Sequence, residues 1–405
     1  MNIVIAFSEP FPYGGANTNR IISYAKEMVR QGHSVTVHCL QPYVTPSMLE
    51  DESIPKPTIS GEFEGIKYIH TCGSIEWPEP STHKLKKQLI RLKSYLRSFR
   101  LLFRNRKQLD ILEIEDMPKS SMFFFFFVSK LCRAKYVVER SELPDIYKNP
   151  EKFKTWRKRF YVWISYLSFK LFDGWILETQ ILVDYYMPKA KKRAKCCIIP
   201  MTVEEERFLN VSHVNSRFKK YGKYIAYCGN MCEIDGLSIL IKAFAIISGK
   251  YQDVKLLLAG NSSDVPSQKQ LAKDLGIENR VVFLGKVLRD DVPVLLAGAY
   301  ALALASPTSI RSCASMPCKV GEYLCTGRPV IVTGLGEIPK YMQDGVSAYL
   351  AKPDSAELFA EKLNEALKDP DTASGIGLNG KDVALREFSS PVQAGRIVSF
   401  FQSLL

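Results

Sequence analysis

The chain has 405 residues, of which 46% are apolar and 24% charged, and its formal net charge is +13. This length predicts two domains of roughly 200 residues each, because single hydrophobic cores stop growing at about that size. The ten cysteines lack metal-type spacing and the longest apolar run, 122–128, has seven residues, which argues against a zinc or disulfide framework and against a spanning helix of about 20 residues.

Apolar strands alternate with helices from the first residues onward. The chain opens on an apolar strand rather than on a basic segment with a cleavage site, so we expect no signal peptide and a cytoplasmic protein. In the first half the predicted strands are 2–7, 34–40, 65–70, 111–115, 136–140, 174–178 and 196–200, and the predicted helices are 17–31 and 122–131. The alternation predicts an α/β fold with a doubly wound parallel sheet.

Two glycines, Gly14 and Gly15, follow the first predicted strand and precede a helix that Asn17 can cap. Glycines at such a turn let backbone N–H groups approach a phosphate, and open α/β sheets bind ligands at this edge. A Gly-Gly pair also fits a simple tight turn. The G-x-G-x-x-G pattern of nicotinamide-binding domains is missing, which argues against a dehydrogenase.

Positive charge is concentrated at 83–107, where ten Lys or Arg occur without an acidic residue. Leu89, Leu92, Leu96, Phe99 and Phe103 recur there at three- and four-residue steps, which predicts a basic amphipathic helix. In one interpretation the helix docks on an anionic membrane, such as the inner face of the plasma membrane. In the other, its apolar stripe packs on the core. Nucleic-acid binding is the weakest interpretation, since no nucleic-acid-binding motif accompanies the charge.

Charged residues end two of the predicted strands of the first half. Glu113 and Glu115 end one strand, and Glu139 and Arg140 end another. Because the carboxyl ends of parallel strands share one sheet edge, these groups are expected to face a common cleft, where they would bind an acceptor hydroxyl or act as a general base. Simple solvation of strand ends is the alternative. The five histidines form no metal-binding pair, so no metal requirement is predicted.

The polar stretch 204–223 reads as a linker between two domains. Beyond it the predicted strands are 224–228, 254–259, 281–284, 301–305, 329–333 and 348–350, and the predicted helices are 236–248, 268–275, 355–368 and 391–405. We therefore expect an N-terminal domain over 1–203, a C-terminal domain over 224–385, and a final segment over 386–405 that packs back towards the first domain.

The most informative segment is 315–330, in which Lys319 and Glu322 occupy the first turns of a predicted helix that closes at Gly327. Residues at i and i+3 share one helix face, and a helix N-terminus attracts phosphate through its N–H groups and dipole. A lysine suits a phosphate and a glutamate suits ribose hydroxyls. The segment therefore predicts a site for a nucleoside diphosphate.

The pattern Pro317-x-Lys319-x-x-Glu322, followed by Gly327 and Pro329, resembles the donor-site signature of retaining glycosyltransferases of family 4, in its Pro-x-Lys-x-x-Glu branch. The resemblance extends through nearly the whole chain. It implies the GT-B fold, in which two Rossmann-like domains with doubly wound parallel sheets face a cleft. It also implies that Lys319 stabilises the departing diphosphate and that Glu322 anchors the ribose.

The resemblance gives donor-binding roles to two further loops. In the family, the Gly-Gly loop faces the donor pyrophosphate, which assigns that role to Gly14 and Gly15. The nucleobase rests near a loop that corresponds here to Lys286 and Val287.

The chain departs from the family where the first strand of the second domain ends, at Gly229. Family members usually carry Arg after this glycine and Lys before the next one, and both grip the pyrophosphate. Asn230 and Asp235 stand at these positions here. Losing two charge-assisted bonds of about 1.5 to 3 kcal/mol each would weaken phosphate binding, and Lys319 is the expected replacement. Arg311 is a second candidate, with a solvated loop charge as the alternative.

A second departure lies eight positions before Glu322, where the family commonly has a glutamate near the donor sugar. This chain has Ala314. Backbone groups around Ser315 and Met316, at the start of the predicted helix, are expected to take over these contacts.

Taken with these departures, the resemblance implies a retaining glycosyltransferase that moves a hexose from a nucleotide sugar to a glycan or lipid-linked acceptor, in polysaccharide biosynthesis, without a cofactor or metal. Two alternatives stay open. One is a GT-B-fold epimerase or hydrolase acting on a nucleotide sugar. The other is a catalytically lapsed partner protein, which Ala314, Asn230 and Asp235 would favour.

Overall fold

The computed structural model describes residues 1–42, 58–77, 84–115, 117–144, 147, 150–209, 211 and 217–405, apart from the side chains of residues 84, 85, 150 and 153. These residues form two compact units. Unit 1 comprises Met1–Pro200 and Ser390–Leu405, and unit 2 comprises Met201–Ser389. Each unit is built on one sheet with its own apolar core.

The sheet of unit 1 has eight strands among the described residues. They are β1 (Asn2–Phe7), β2 (Ser34–Cys39), β3 (Ser60–Phe63), β4 (Ile66–His70), β5 (Ile111–Ile114), β6 (Lys135–Arg140), β7 (Gly174–Leu177) and β8 (Lys195–Ile198). Their order is β3-β4-β2-β1-β5-β6-β7-β8, and every pair is parallel except β3 with β4. The sheet therefore grows in both directions from β1, as a doubly wound sheet does. The predicted strands are confirmed, whereas the antiparallel edge strand β3 was not predicted.

Helices connect these strands: α1 (Ala16–Arg30), α2 (Lys84–Arg104), α3 (Lys119–Cys132), α4 (Trp156–Phe169) and α5 (Gln180–Tyr186). The phenylalanine-rich run is helical, as predicted, and lies within α3. On one face of the sheet α3 packs against both α2 and α4. This is the face that right-handed connections from β4 to β5, β6 and β7 would cover.

The basic amphipathic helix predicted over 83–107 corresponds to α2; residue 83 lies outside the described residues. Three leucines of its predicted apolar stripe lie outside the core. Leu89, Leu92 and Leu96 are 63%, 54% and 47% exposed. Ser94 and Ser98 are fully buried instead, and each hydrogen bonds towards the sheet. The interpretation in which the apolar stripe packs on the core is therefore wrong.

Unit 2 has a six-stranded sheet, and its neighbouring strands are parallel throughout. The strands are β9 (Lys223–Cys228), β10 (Val254–Ala259), β11 (Val281–Gly285), β12 (Ala301–Leu304), β13 (Val330–Thr333) and β14 (Tyr349–Ala351). Their order is β11-β10-β9-β12-β13-β14. Both β12 and β13 are wholly buried, which suits apolar strands covered by helices on both faces.

The helices of unit 2 are α6 (Glu206–Leu209), α7 (Leu237–Ser248), α8 (Val265–Asp274), α9 (Val292–Ala297), α10 (Ile310–Ala314), α11 (Cys318–Cys325), α12 (Ile338–Tyr341), α13 (Ala356–Lys368) and α14 (Pro370–Glu387). In the stretch predicted as a linker, 204–223, Phe208 and Phe218 are buried in the core of this unit. Residues 210 and 212–216 of that stretch lie outside the described residues.

The chain ends in α15 (Ser390–Leu404), which belongs to unit 1 and packs against α1. Phe400 and Leu404 of this helix reach Gly174 of β7, where a Cβ atom would come within 2.7 Å of Leu404. Across the ranges given above, no helix combines the length and apolarity needed to cross a membrane.

Candidate functional site

The candidate site lies in unit 2, where the strand order reverses. From β9 the chain continues to β10 on one side and later returns to β12 on the other, so the loops after β9 and β12 meet at the carboxyl edge. Open α/β sheets bind their ligands at such a switch point. The loops approach closely, because a Cβ atom on Gly236 would lie 1.8 Å from the carbonyl oxygen of Ala305. With φ at +77°, this position requires glycine.

Helix α11 carries both residues of the predicted diphosphate site, Lys319 and Glu322, along its first two turns. The neighbouring Tyr323 fastens the helix to the end of β9. Its fully buried hydroxyl accepts a hydrogen bond of 2.8 Å from the backbone N–H of Cys228. This contact fixes α11 beside the loop that begins at Gly229.

The ammonium group of Lys319 is held by two side chains from β9 and the loop after it. It donates hydrogen bonds to Tyr227 Oη at 2.9 Å and to Asp235 Oδ2 at 2.7 Å. Roughly a fifth of the Lys319 side chain is exposed (22%), as is a quarter of Asp235 (24%). The cation therefore already has an anionic partner at the site, and Asp235, found where the family usually has a lysine, is that partner.

Gly229 makes room for this lysine. A Cβ atom at this position would lie 2.3 Å from Lys319 Cε and 2.7 Å from its Nζ. The next residue, Asn230, is exposed, and its backbone carbonyl accepts a hydrogen bond of 2.5 Å from Tyr227 Oη. Lys319 thus lies directly against Gly229, while Asn230 contributes its backbone to the arrangement.

Glu322 belongs to a separate chain of charges. Its Oε1 lies 3.8 Å from Arg207 Nη1, and Arg207 Nη2 donates a 2.5 Å hydrogen bond to the carbonyl oxygen of Arg289. Arg289 in turn pairs with Glu204. Burial raises the pKa of Glu322 above its usual value, and the Arg207 guanidinium opposes that rise. The carboxylate still keeps about a third of its surface exposed (32%), so a ligand can reach it.

The predicted nucleobase loop is connected to the charged residues around Glu322. Lys286 is exposed and Val287 half-buried, directly after β11. The end of β11 is fixed by a hydrogen bond of 2.8 Å from the Gly260 backbone N–H to the carbonyl of Gly285. Through Arg289, three residues beyond Lys286, the same loop is tied to Arg207 and thereby to Glu322.

Ser315 and Met316 precede α11, as predicted, but they differ in accessibility. The hydroxyl of Ser315 donates a hydrogen bond of 2.9 Å to the carbonyl oxygen of Arg311. The side chain of Met316 is 1% exposed and belongs to the core, so only its backbone is available to a ligand. Helix α11 itself begins after Pro317 without a side-chain cap.

In unit 1, the predicted glycine pair lies in the turn between β1 and α1. A Cβ atom on Gly14 would come 2.1 Å from Thr18 Oγ1 and 2.5 Å from the carbonyl oxygen of Pro10. The space around Gly15, which caps α1 with its backbone, is open. Asn17 does not cap the helix, because its side chain donates to Glu9 at 2.9 Å. The contacts of Gly14 are those of a tight turn.

The charged residues at the ends of β5 and β6 are mostly enclosed. Glu139 and Arg140 are 4% and 2% exposed, which contradicts the expectation that they face an open edge to bind an acceptor. Arg20 explains the difference for Glu139: its Nε lies 2.5 Å from Glu139 Oε1, and the rest of its guanidinium donates to backbone carbonyls. Glu115 is partly exposed, and burial raises its pKa well above the usual value.

Tyr24 connects Glu139 to a second buried carboxyl, that of Glu113. Its hydroxyl oxygen lies 3.0 Å from Glu113 Oε1 and 3.0 Å from Glu139 Oε2. A hydroxyl donates one proton and can accept another, so protonation of one carboxyl allows both contacts to be full hydrogen bonds. Glu139 is paired with Arg20, and burial raises the pKa of Glu113 to about 8. Burial therefore favours the protonated form of Glu113.

Several residues of the unit 2 site were not predicted. Tyr227, Tyr323, Arg207 and Arg289 act through contacts between segments far apart in the chain, which no local pattern marks. Within the described ranges, His, Cys, Asp and Glu side chains form no group of three that could hold a metal ion.

Part of unit 2 is similar to a described protein family. Residues 222–369 match the model described as Glycosyl transferases group 1. N-acetyl-alpha-D-glucosaminyl L-malate synthase from Bacillus anthracis is 30% identical over 191 residues, which cover 46% of this chain and 47% of that protein. The chain thus spans about half the length of the curated relatives that it matches.

Solved structures match over the whole chain. HepE from Anabaena, solved with UDP and with UDP-glucose, is 18% identical with a TM-score of 0.71 in its UDP complex, over 100% of both chains. Sucrose-phosphate synthase from Thermosynechococcus elongatus is 14% identical with a TM-score of 0.72, over 100% of this chain and 99% of that one. The predicted GT-B fold is confirmed.

Proposed function

We propose that the protein is a retaining glycosyltransferase that moves a sugar from a nucleotide sugar to a glycan or lipid-linked acceptor in polysaccharide biosynthesis. The observation that carries this proposal is the placement of Lys319 and Glu322 on one helix, beside the Gly229 loop and at the switch point of the sheet. The match of 222–369 to the group 1 glycosyl transferases supports the same reaction class.

In this reaction the bond from the anomeric carbon to the diphosphate oxygen breaks, and the acceptor hydroxyl oxygen attacks from the face that the diphosphate leaves. The proton of that hydroxyl passes to the departing diphosphate. Negative charge on the departing diphosphate is the main obstacle, so donors aimed at that charge should contribute most to the rate. Lys319 and the uncapped N-terminus of α11 supply such donors.

Glu322 would accept hydrogen bonds from the ribose, and the loop at Lys286 and Val287 would receive the base. The contact of Arg207 with both Glu322 and the carbonyl of Arg289 supports this assignment, because it holds the two parts of the nucleoside site in one arrangement. The complexes of HepE make UDP-glucose the first donor to test.

A non-catalytic nucleotide-binding protein is the second candidate. It is favoured by the pairing of Lys319 with Asp235 and by Ala314, which is buried and leaves the donor sugar without the glutamate that the resemblance would place there.

A lipid-linked acceptor would lie in a membrane. We propose that the protein works at a membrane surface, with residues 83–107 facing anionic lipid, because the leucine stripe of α2 is exposed.

The test is product analysis with UDP-glucose, first alone and then with a panel of alkyl glycosides as acceptors. A glycoside product that keeps the anomeric configuration of the donor, and that disappears in Lys319→Ala, supports the transferase. A new nucleotide sugar or free glucose from donor alone would instead identify an epimerase or hydrolase. Nucleotide binding without turnover for any donor would favour the non-catalytic candidate.

A further inference from the structure

Three helices of unit 1 carry much of the positive charge of the chain. The sequences of α2, α3 and α4 contain thirteen Lys or Arg, eight in α2, two in α3 and three in α4, and no Asp or Glu. The whole chain has a formal net charge of +13. The excess positive charge of these helices therefore equals that of the entire protein.

Helix α4, like α2, exposes large apolar side chains and buries serines. Trp156, Phe160 and Trp163 are 74%, 56% and 58% exposed. Ser165 and Ser168 are buried, and both hydroxyls donate to carbonyl oxygens of the same helix. Both helices therefore carry a row of large apolar side chains that lies outside the core.

The helices form a continuous layer through α3. Tyr95 of α2 stacks on Phe124 of α3 with ring centroids 5.5 Å apart. On the other side of α3, Lys119 lies 5.9 Å over the ring of Phe169 in α4. Phe127 of α3 is exposed as well. The outward side of α2, α3 and α4, here called the three-helix face, is therefore both apolar and basic.

We propose that the three-helix face binds an anionic phospholipid bilayer, with Trp156, Phe160 and Trp163 entering the interface and the surrounding Lys and Arg contacting headgroup phosphates. Tryptophan suits this position because its ring is apolar with one polar edge. An apolar face bordered by cations is the pattern of helices that lie in a membrane surface. This inference locates the membrane association of the proposed function and does not depend on sugar transfer.

Charge favours a bilayer over a second copy of the chain. Two copies joined through the three-helix face would bring like positive charges together, whereas anionic lipids neutralise them. Nucleic acid would also neutralise the charge, but it offers no apolar phase for the exposed side chains of α2 and α4.

The test is binding of the full chain to vesicles of phosphatidylcholine alone and of phosphatidylcholine with about 30% phosphatidylglycerol. Sedimentation measures the bound fraction, and tryptophan emission reports entry of the rings into the interface. We expect binding and a blue shift with the anionic vesicles only. The double variant Trp156→Ser with Trp163→Ser should bind about tenfold or more weakly. The triple variant Arg157→Gln, Lys158→Gln, Arg159→Gln should lose about a hundredfold.

Matched variants in unit 2 distinguish binding through the three-helix face from nonspecific binding to vesicles. Ile246→Ser with Leu378→Ser removes two exposed apolar residues, and Lys219→Gln, Lys220→Gln, Lys352→Gln removes three exposed cations. Both should bind vesicles like the wild type. Melting temperature and UDP binding report folding of each variant without involving lipid.

Three results would overturn the proposal. One is binding to neither vesicle, or equally to both. Another is a dimer in light scattering that the tryptophan variant dissociates, which would make the face a contact between copies. The third is retention of duplex DNA or RNA, sensitive to the same substitutions, without vesicle binding.

Discussion

Lys319 Nζ lies 2.7 Å from Asp235 Oδ2, so the cation expected to meet a diphosphate is already paired with a carboxylate of its own unit. An arriving diphosphate must share Lys319 with that carboxylate or displace it. A carboxylate near a bound phosphate weakens phosphate binding, because both groups are negative. A carboxylate that holds the Lys319 ammonium group in place also strengthens binding, because the ammonium group is then pre-organised. The two effects oppose each other, and their balance can be measured.

We expect Asp235→Asn to bind UDP about tenfold more tightly than the wild type, because the substitution removes a competing negative charge and keeps a hydrogen-bond acceptor for Lys319. Isothermal titration calorimetry gives the affinity. Asp371→Asn, at an exposed carboxylate of α14, is the matched control and should bind normally. Weaker binding by Asp235→Asn would show that the carboxylate positions Lys319 rather than competing for it.

Gly229→Ala tests whether UDP binding depends on the close contact between Gly229 and Lys319. The added methyl group would meet the flexible end of that side chain, which moves more easily than the backbone, so Lys319 should leave Asp235 and Tyr227. UDP binding should fall by about ten- to a hundredfold, as for loss of one charge-assisted bond, while the protein stays folded.

Gly276→Ala is the control for that substitution, because Gly276 also has a positive φ, +68°, but open space around it. If Gly229→Ala bound UDP normally while Lys319→Ala did not, the close approach seen here would be irrelevant to binding.

Arg207 should set the pH range over which Glu322 can accept hydrogen bonds. Its guanidinium lowers the pKa of Glu322 against the effect of burial, so Arg207→Gln should raise that pKa further. UDP binding is lost as pH falls through the pKa of Glu322, and the variant should lose it at a higher pH than the wild type. Affinities measured across a pH series give the midpoint.

The control is Arg217→Gln, because Arg217 pairs with Asp291 at 2.8 Å, away from Glu322. An unchanged midpoint in Arg207→Gln would mean that Glu322 does not contact the ligand through its ionised form.

Unit 1 should become less stable as pH rises. The pKa of Glu113 is about 8 in the folded protein and near its usual 4.5 when unfolded, so the folded state binds more protons between these values. The stability that this group contributes is complete below the lower value and lost as pH passes the upper one, with a slope of up to about 1.4 kcal/mol per pH unit.

Glu113→Gln removes this titrating proton and keeps a hydrogen-bonding group beside Tyr24, so it should reduce that slope, while Glu115, whose pKa burial also raises, keeps its own contribution. Urea unfolding of both proteins at about pH 6 and about pH 9 measures it. Glu62→Gln, at an exposed position of β3, should leave it unchanged. A wild-type protein equally stable at both pH values would contradict the assignment of a buried proton to Glu113.

The sequence predicted the parts of this fold that rest on local pattern. The i, i+3 spacing placed Lys319 and Glu322 on one helix without knowledge of the sheet. The pairing of Lys319 with Asp235 was not predicted, because it joins residues 84 positions apart. The predicted helices missed α14, whose glycines lower helix propensity. At Gly377 and Gly380, however, Cβ atoms would approach backbone carbonyls within 2.4 and 2.6 Å, so packing selects these glycines.

The three-helix face shows a second limit of prediction from the sequence. Apolar residues at helical spacing usually mark the side that packs on a core, and this rule makes α4 appear to be an ordinary core helix. The rule fails here because Ser165 and Ser168 are buried while Trp156, Phe160 and Trp163 stay exposed. Periodicity identifies an amphipathic helix but not which of its sides is buried.

UDP binding by calorimetry to the wild type, Lys319→Ala and Glu322→Ala tests the diphosphate site on α11 most directly. We expect saturable binding to the wild type and a loss of about tenfold or more in each variant, since each removes a hydrogen bond to a charged group. Wild-type affinity in both variants, or no binding of any nucleoside diphosphate to the wild type, would contradict this expectation.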